Sequence, residues 1–222
     1  MITLTRTRST TVSRTCSLAR AEGLQFLRNR TLVFMATVMP TAFPLAVYLI
    51  LLGPVGEADA AANAVEIFTL FSLTLVQFYS VLSMATTRRD EKVLKRLRSG
   101  EPRDGEILTA IGLPGAVVTL GLSVLFVAVL LVAGAPVPGN PLLMVVALVL
   151  GLIISTALAL VVSGMTQKAE AAQITSLPVI ILAMISLSST RAMLPESFGR
   201  ILDLTPFAVI SDLVQVGWIG ST

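Results

Sequence analysis

Five apolar runs decide what this chain can become: Leu32–Leu52, Asn63–Thr86, Ile107–Ala133, Pro141–Gly164 and Glu170–Thr190. A helix rises about 1.5 Å per residue, so about 20 apolar residues cross a hydrocarbon core of roughly 30 Å. Each run is that long. Inside lipid a helix satisfies its own backbone groups, which water cannot do there. Pro40, Pro44, Pro114 and Pro178 fall within runs and predict bends, because neighbouring helices can satisfy the carbonyls that proline frees. Composition agrees. The chain is 55% hydrophobic and 13% charged, with a mean hydropathy of +0.87, whereas charged residues make up roughly a quarter of soluble domains. The fold class is therefore all-α, a polytopic helical membrane protein with one membrane domain over 15–222 and five spans.

Charge sets the expected orientation. Met1–Arg14 is a Thr/Ser/Arg-rich tail without the apolar core of a signal peptide. Residues 15–31 carry Leu18, Ala21, Leu24 and Leu27 on one helical face, as an interfacial helix would, or as an ordinary lead-in to the first span. The segments 1–31 hold six Arg, the loop 87–106 holds seven basic residues, and Lys168 follows the fourth run, leaving Arg191 and Arg200 on the other side. That asymmetry places the amino terminus in the cytoplasm. The basic set is mostly Arg, with Lys only at 92, 95 and 168, and Ala, Val and Leu are heavily used; by association this suggests a bacterial cell membrane. The pI near 9.5 is no nucleic-acid footprint, since the basic residues cluster at membrane edges.

Between the second and third runs, Arg88 to Glu106 forms an island with seven of the 16 basic and five of the 13 acidic residues. Val93, Leu94 and Leu97 recur at helical spacing, and Gly100 and Pro102 end the helix they imply. Three readings fit such a helix: retention of positive charge on the cytoplasmic side, contact with anionic membrane lipid, or docking on a protein partner.

Several chemistries are excluded. Histidine is absent and Cys16 is the only cysteine, so no histidine triad, zinc motif or internal disulfide can form. No G-x-x-x-x-G-K-[ST] loop is present to hold ATP phosphates. No catalytic residue, metal site or bound cofactor is expected, and the chain is not itself an enzyme. Glu66 and Glu170 fall near run ends, where water is accessible; with no ionisable group deeper, proton-coupled transport is disfavoured.

Two spans carry polar or small residues on one side. In the second, Thr69, Ser72, Ser80 and Ser83 share an arc with Gln77 at its shoulder. Such groups serve either as glue between helices or, with Gln173, Thr175 and Ser176 of the fifth, as the wall of a substrate path. In the fourth, Gly151, Ser155, Ala159 and Ser163 repeat every fourth position, which lets a second helix approach closely. After Thr190 come two short apolar pieces broken by Pro195 and Pro206, then an amphipathic helix with Asp212 and Gln215; 191–222 should cap the outer face as a broken helical hairpin.

The layout resembles the permeases of type-2 ABC transporters, the ABC-2 family. What matches is an interfacial helix, two spans, the loop RRDEKVLKRLRSGEPRDGEILTA, three further spans and the broken hairpin LPESFGRILDLTPFAVISDLV. The resemblance covers nearly the whole chain. It implies that two permease subunits pair, as a homo- or heterodimer, and that separate ATPase subunits supply ATP and Mg. The Arg88–Arg98 helix would then be a coupling helix. Val93, Leu94 and Leu97 would be its apolar contact with the ATPase, and Arg89, Asp90, Glu91 and Arg96 its ionic rim. It further implies efflux of a drug-, antibiotic- or lipid-like substrate along a dimer interface formed by the first, second and fifth spans. Relatives have a sixth span after the hairpin, whereas this sequence reaches Thr222 without one, so either truncation or a last helix supplied otherwise is expected. The alternative is a non-transporting membrane scaffold or sensor that recruits a partner through the basic helix.

Overall fold

The computed structural model describes residues 30–90, 104–166 and 168–220, and among these every regular element is helical. Helix α1 (Arg30–Val55) is followed directly by α2 (Glu57–Phe71), a π-helical segment π1 (Ser72–Phe78) and α3 (Tyr79–Asp90). Then come α4 (Asp104–Val132), α5 (Pro141–Met165), α6 (Ala172–Ile185), α7 (Ser188–Ala192), α8 (Glu196–Leu202) and α9 (Pro206–Ile219).

The segments α2, π1 and α3 form one long central rod. Of the most apolar window in Glu57–Arg89, 72% is buried, against 17% to 22% in α1, α4 and α5. The outer helices instead present Ile50, Val124, Leu142 and Ile153 to their surroundings. In a bilayer such side chains meet hydrocarbon, so their exposure carries no penalty. The core holds Tyr48, Phe68, Leu70, Leu73, Leu130, Phe207 and Trp218. Phe68 of the rod lies nearly flat on Phe126 of α4, with ring centroids 4.4 Å apart.

The expected loop between the first two runs shrinks to one residue. Gly56, at φ 87°, turns the chain in a conformation that suits glycine. Helix starts again at Glu57, where Glu57 and Asp59 complement the positive end of the helix dipole. Ala60, Ala61, Ala62 and Ala64 follow, good helix formers small enough to be fully buried, with α2 packed along α1.

The fifth run behaves differently from the expected Glu170–Thr190 crossing. Its α-helix is the 14 residues of α6, about 21 Å long at 1.5 Å per residue, which falls short of a hydrocarbon core. Beyond it, α8 and α9 meet at 91°, either a broken span or a re-entrant loop. Among the described residues, four helices are long and apolar enough to cross a membrane, or five if that bent pair is one. Pro206 occupies the first turn of α9 and Thr205 caps it, its hydroxyl accepting from Ala208 N–H at 3.2 Å. Helix α9 packs on α2 and α5. The Gly139 and Asn140 N–H groups donate to the carbonyls of Trp218 (3.0 Å) and Gly217 (2.8 Å), which ties the α4–α5 connection to the end of α9. Gly217 is required there, since a Cβ would sit 2.7 Å from Met144 Cγ.

Candidate functional site

Three polar fastenings lie along the central rod, one in each third. The first is Glu66 on α2, which is 1% exposed. Its carboxyl oxygens accept from four neutral donors. Ser188 N–H and the Ser188 hydroxyl both donate at 2.6 Å, the Gln215 side-chain amide donates at 2.6 Å, and the Ser211 hydroxyl is the fourth. Ser188 opens α7, while Ser211 and Gln215 are one turn apart on α9. The carboxyl group therefore clamps the start and end of the bent hairpin onto the rod. Glu66 had been expected near water; the closure of α9 over α2 buries it instead. The sequence held one signal for this: Ser211 and Gln215 stand four apart in an apolar helix, as residues sharing one polar partner would.

Beside this clamp the hairpin is held by Arg191, which pairs with Asp203 and Asp212 and donates from Nε to the Ser186 carbonyl at 3.0 Å. Burial acts to lower the Arg191 pKa, but the hydrogen bonds and charges of Asp212 and Asp203 outweigh it and leave the pKa raised. A polar recess of about 450 Å³, lined by Asn63, Ser188, Ser189, Asp212, Gln215 and Val216, opens beside these groups.

The second fastening is Gln77 in π1. Its amide nitrogen donates to the Gly112 carbonyl of α4 (3.1 Å) and to Thr156 Oγ1 of α5 (2.7 Å). Its amide oxygen is buried without a partner. The approach depends on glycine. A Cβ on Gly115 would lie 2.7 Å from Gln77 Oε1 and 3.0 Å from Ser80 Oγ, and one on Gly112 would lie 3.2 Å from Thr156 Cγ2.

The third is Arg89 at the end of α3. Its guanidinium donates to the Ser163 carbonyl at 2.6 Å, which sets a cation on the negative end of α5. Glu66 and Arg89 are 23 residues apart, about 34 Å along a helix.

The residues singled out in the sequence fall as follows. Thr69 and Ser80 are buried and donate to the carbonyls of Val65 and Val76, one turn back on the rod. Ser72 is buried without a partner, and Ser83 is half-buried. Gln77 and Ser80 meet at Gly115. Gln173 is exposed, Thr175 bonds Thr166 at 2.9 Å, and Ser176 is buried and donates to the Gln173 carbonyl. The stripe on α5 lies along the rod: Gly151 is pressed by Leu73, Ser155 is buried, Ala159 packs among Phe78, Val81 and Leu82, and Ser163 takes Arg89. Asp90 is the last residue of α3. Glu91, Val93, Leu94, Arg96 and Leu97 lie outside the described residues, as does all of the expected interfacial helix over 15–31 except Arg30 and Thr31, which belong to α1.

An apolar crevice of about 480 Å³ lies between α2, α4, α5 and α9, with Phe68, Leu120, Val124, Met144, Val145 and Val214 among its walls. The hydroxyls that reach it, Thr69 and Ser123, are satisfied by helix carbonyls, so its surface is that of hydrocarbon. Set against known proteins, residues 13–217 match the family model described as ABC-2 type transporter. No curated protein and no solved structure matches the chain.

Proposed function

From the premise that this chain belongs to the ABC-2 type transporter family, as a permease component and not the ATPase, we propose that it is the membrane subunit of an ATP-driven exporter. Two permease subunits pair, and each receives movement from an ATPase subunit, which holds ATP and Mg. The amino terminus and the 87–106 loop face the cytoplasm of a bacterial cell. The cargo is drug-, antibiotic- or lipid-like, and the hydrocarbon-like crevice beside Phe68 favours an apolar or amphipathic one.

One observation carries this reading. A single rod, Glu57–Arg89, runs from the charged loop to the hairpin at the opposite end and is fastened to its neighbours by polar side chains at both ends, half-buried Arg89 at the first and buried Glu66 at the second. In a bundle whose interior is close-packed, a push on such a rod is passed on to the helices packed along it. Val93, Leu94 and Leu97 supply the apolar contact with the ATPase, and Arg89, Asp90, Glu91 and Arg96 its charged rim. Nucleotide-driven closure displaces that loop. The rod carries the displacement into the bundle, and the helices fastened to it move in turn.

The test is co-expression with the candidate ATPase subunit, purification, and reconstitution into vesicles. The wild-type complex should hydrolyse ATP and move substrate. Leu94→Asp with Leu97→Asp should insert normally yet lose ATPase copurification and transport. Wild-type coupling in that double variant would refute the assignment of the helix, and failure of any ATPase to copurify with the wild-type chain would leave the scaffold alternative.

A further inference from the structure

The central rod is not uniform. Seven consecutive residues, Ser72–Phe78, are π-helical between two α-helical stretches. A π turn closes its hydrogen bonds one residue later than an α turn, so the segment takes up an extra residue; such turns are rare and are frequent at functional sites. Here the irregularity coincides with close approaches by glycines of the neighbouring helices. Gly112 and Gly115 of α4 and Gly151 of α5 press on Gln77, Ser80 and Leu73, all within or just beyond the segment. Gln77 bonds both flanking spans and leaves its buried amide oxygen unpaired, and the Ser72 hydroxyl in the same segment is also unpaired. Unpaired buried polar atoms are costly. A segment that tolerates them holds a conformation with little margin over its alternative.

We propose that π1 is the mechanical junction of the permease, with Gln77 as the residue that positions it. The inference rests on the coupling role proposed above. The α2 half is held by Glu66 and the hairpin, the α3 half by Arg89 and the charged loop. When the loop is driven, the surplus residue moves out of π1, and α3 turns and slides relative to α2 by up to one residue, about 100° and 1.5 Å. Gln77 then leaves the Gly112 carbonyl and Thr156, and α4 and α5 are freed from the rod for that part of the cycle.

The experiment removes the surplus. Because π1 holds one extra residue, deleting half-buried Leu75 should restore an unbroken α-helix while keeping Glu66 and Arg89 on their present faces. The full chain lacking Leu75 is co-expressed with the ATPase subunit and reconstituted. The expected result is normal insertion, normal assembly and retained ATP hydrolysis, with export of a fluorescent lipid analogue per ATP, measured against the wild-type complex, reduced at least tenfold. Gly115→Ala, whose new Cβ would displace Gln77, should lower the same ratio several-fold without loss of assembly. Wild-type coupling in both variants would overturn the junction and leave the permease reading standing. Loss of insertion on deleting Leu75 would also overturn it, since the segment would then hold no surplus residue. Absence of ATPase assembly in the wild-type chain would instead defeat the permease reading and this inference with it.

Discussion

Replacing Glu66 by Leu should destabilise the bundle, and the structure fixes how much and why. Four donors face the carboxyl group: Ser188 N–H, the hydroxyls of Ser188 and Ser211, and the Gln215 amide. Without it, the two hydroxyls can turn to carbonyls of their own helices at little cost. The Ser188 N–H has no such exit, and the Gln215 amide keeps only its long bond to the Ser188 hydroxyl, at 3.3 Å. A stranded donor costs about 1–3 kcal/mol when fully buried; Ser188 and Gln215 are half-buried, so Glu66→Leu should cost about 1–3 kcal/mol in all. The added apolar side chain returns little, because in a bilayer the reference state is itself surrounded by hydrocarbon. A second substitution separates this cause from general damage: Gln215→Leu removes one weakened donor, so the double variant should be more stable than the sum of the singles by about 0.5–1.5 kcal/mol. The measurement is equilibrium unfolding in lipid nanodiscs or mixed micelles, with all four proteins in one denaturant series. A Glu66→Leu protein within about 0.5 kcal/mol of wild type, or a cycle with no coupling, would refute the clamp.

Arg89→Ala should lower stability by about 0.3–2 kcal/mol, the range for a cation at a helix carboxyl end, with Arg89→Lys recovering part of it in the same unfolding assay. Gly151→Val should cost about 1–3 kcal/mol by overlap with Leu73, and Leu73→Ala should restore stability in the double variant, which a thermal melt would show. Arg191→Met should cost no more than about 1 kcal/mol, because Asp203 and Asp212 are half exposed and solvent screens the pairs. The Arg191 pKa is raised on folding, so, as far as its own titration goes, its contribution is complete at every pH below its unfolded value and is lost only as pH rises past the still higher folded one. The difference in melting temperature between wild type and Arg191→Met should therefore stay constant from neutral to mildly alkaline pH and shrink only in acid, where the partner carboxylates take up protons; a difference that collapses near neutrality would contradict the pairing.

What the sequence allowed to be read, and what it did not, follows from the range of the forces involved. Apolar runs report what faces lipid, and α1, α4 and α5 expose their apolar surfaces as such runs should. Hydropathy cannot show which run sits in the middle. The alanines of α2 that make the rod central are only weakly apolar, and beside Glu57 and Asp59 they read as loop. Glu66 was opaque for a related reason. Its partners lie 122, 145 and 149 residues away, so burial is decided by contacts that no local window contains.

The polar arc of the second span shows a subtler limit. Thr69, Ser72, Ser80 and Ser83 were placed on one side by advancing 100° per residue, which presumes an unbroken α-helix. The π segment lies between Thr69 and Ser80 and takes up one residue, so the later half of the arc is turned by about 100° relative to the earlier half. Thr69 reaches the apolar crevice, while Ser80 meets Gly115. An arc drawn for a single substrate wall is thus divided at the point where the rod can change its twist. On the proposed cycle, conversion of π1 to α-helix would bring the two halves into line. A wall that is continuous only in one state is what an alternating pathway requires, and the arc inferred from sequence would then describe the driven conformation, with the present structure as the resting one. Cysteines at positions 69 and 80 should accordingly become accessible to the same aqueous thiol reagent only during ATP turnover; equal labelling with and without nucleotide would show that the two halves never align.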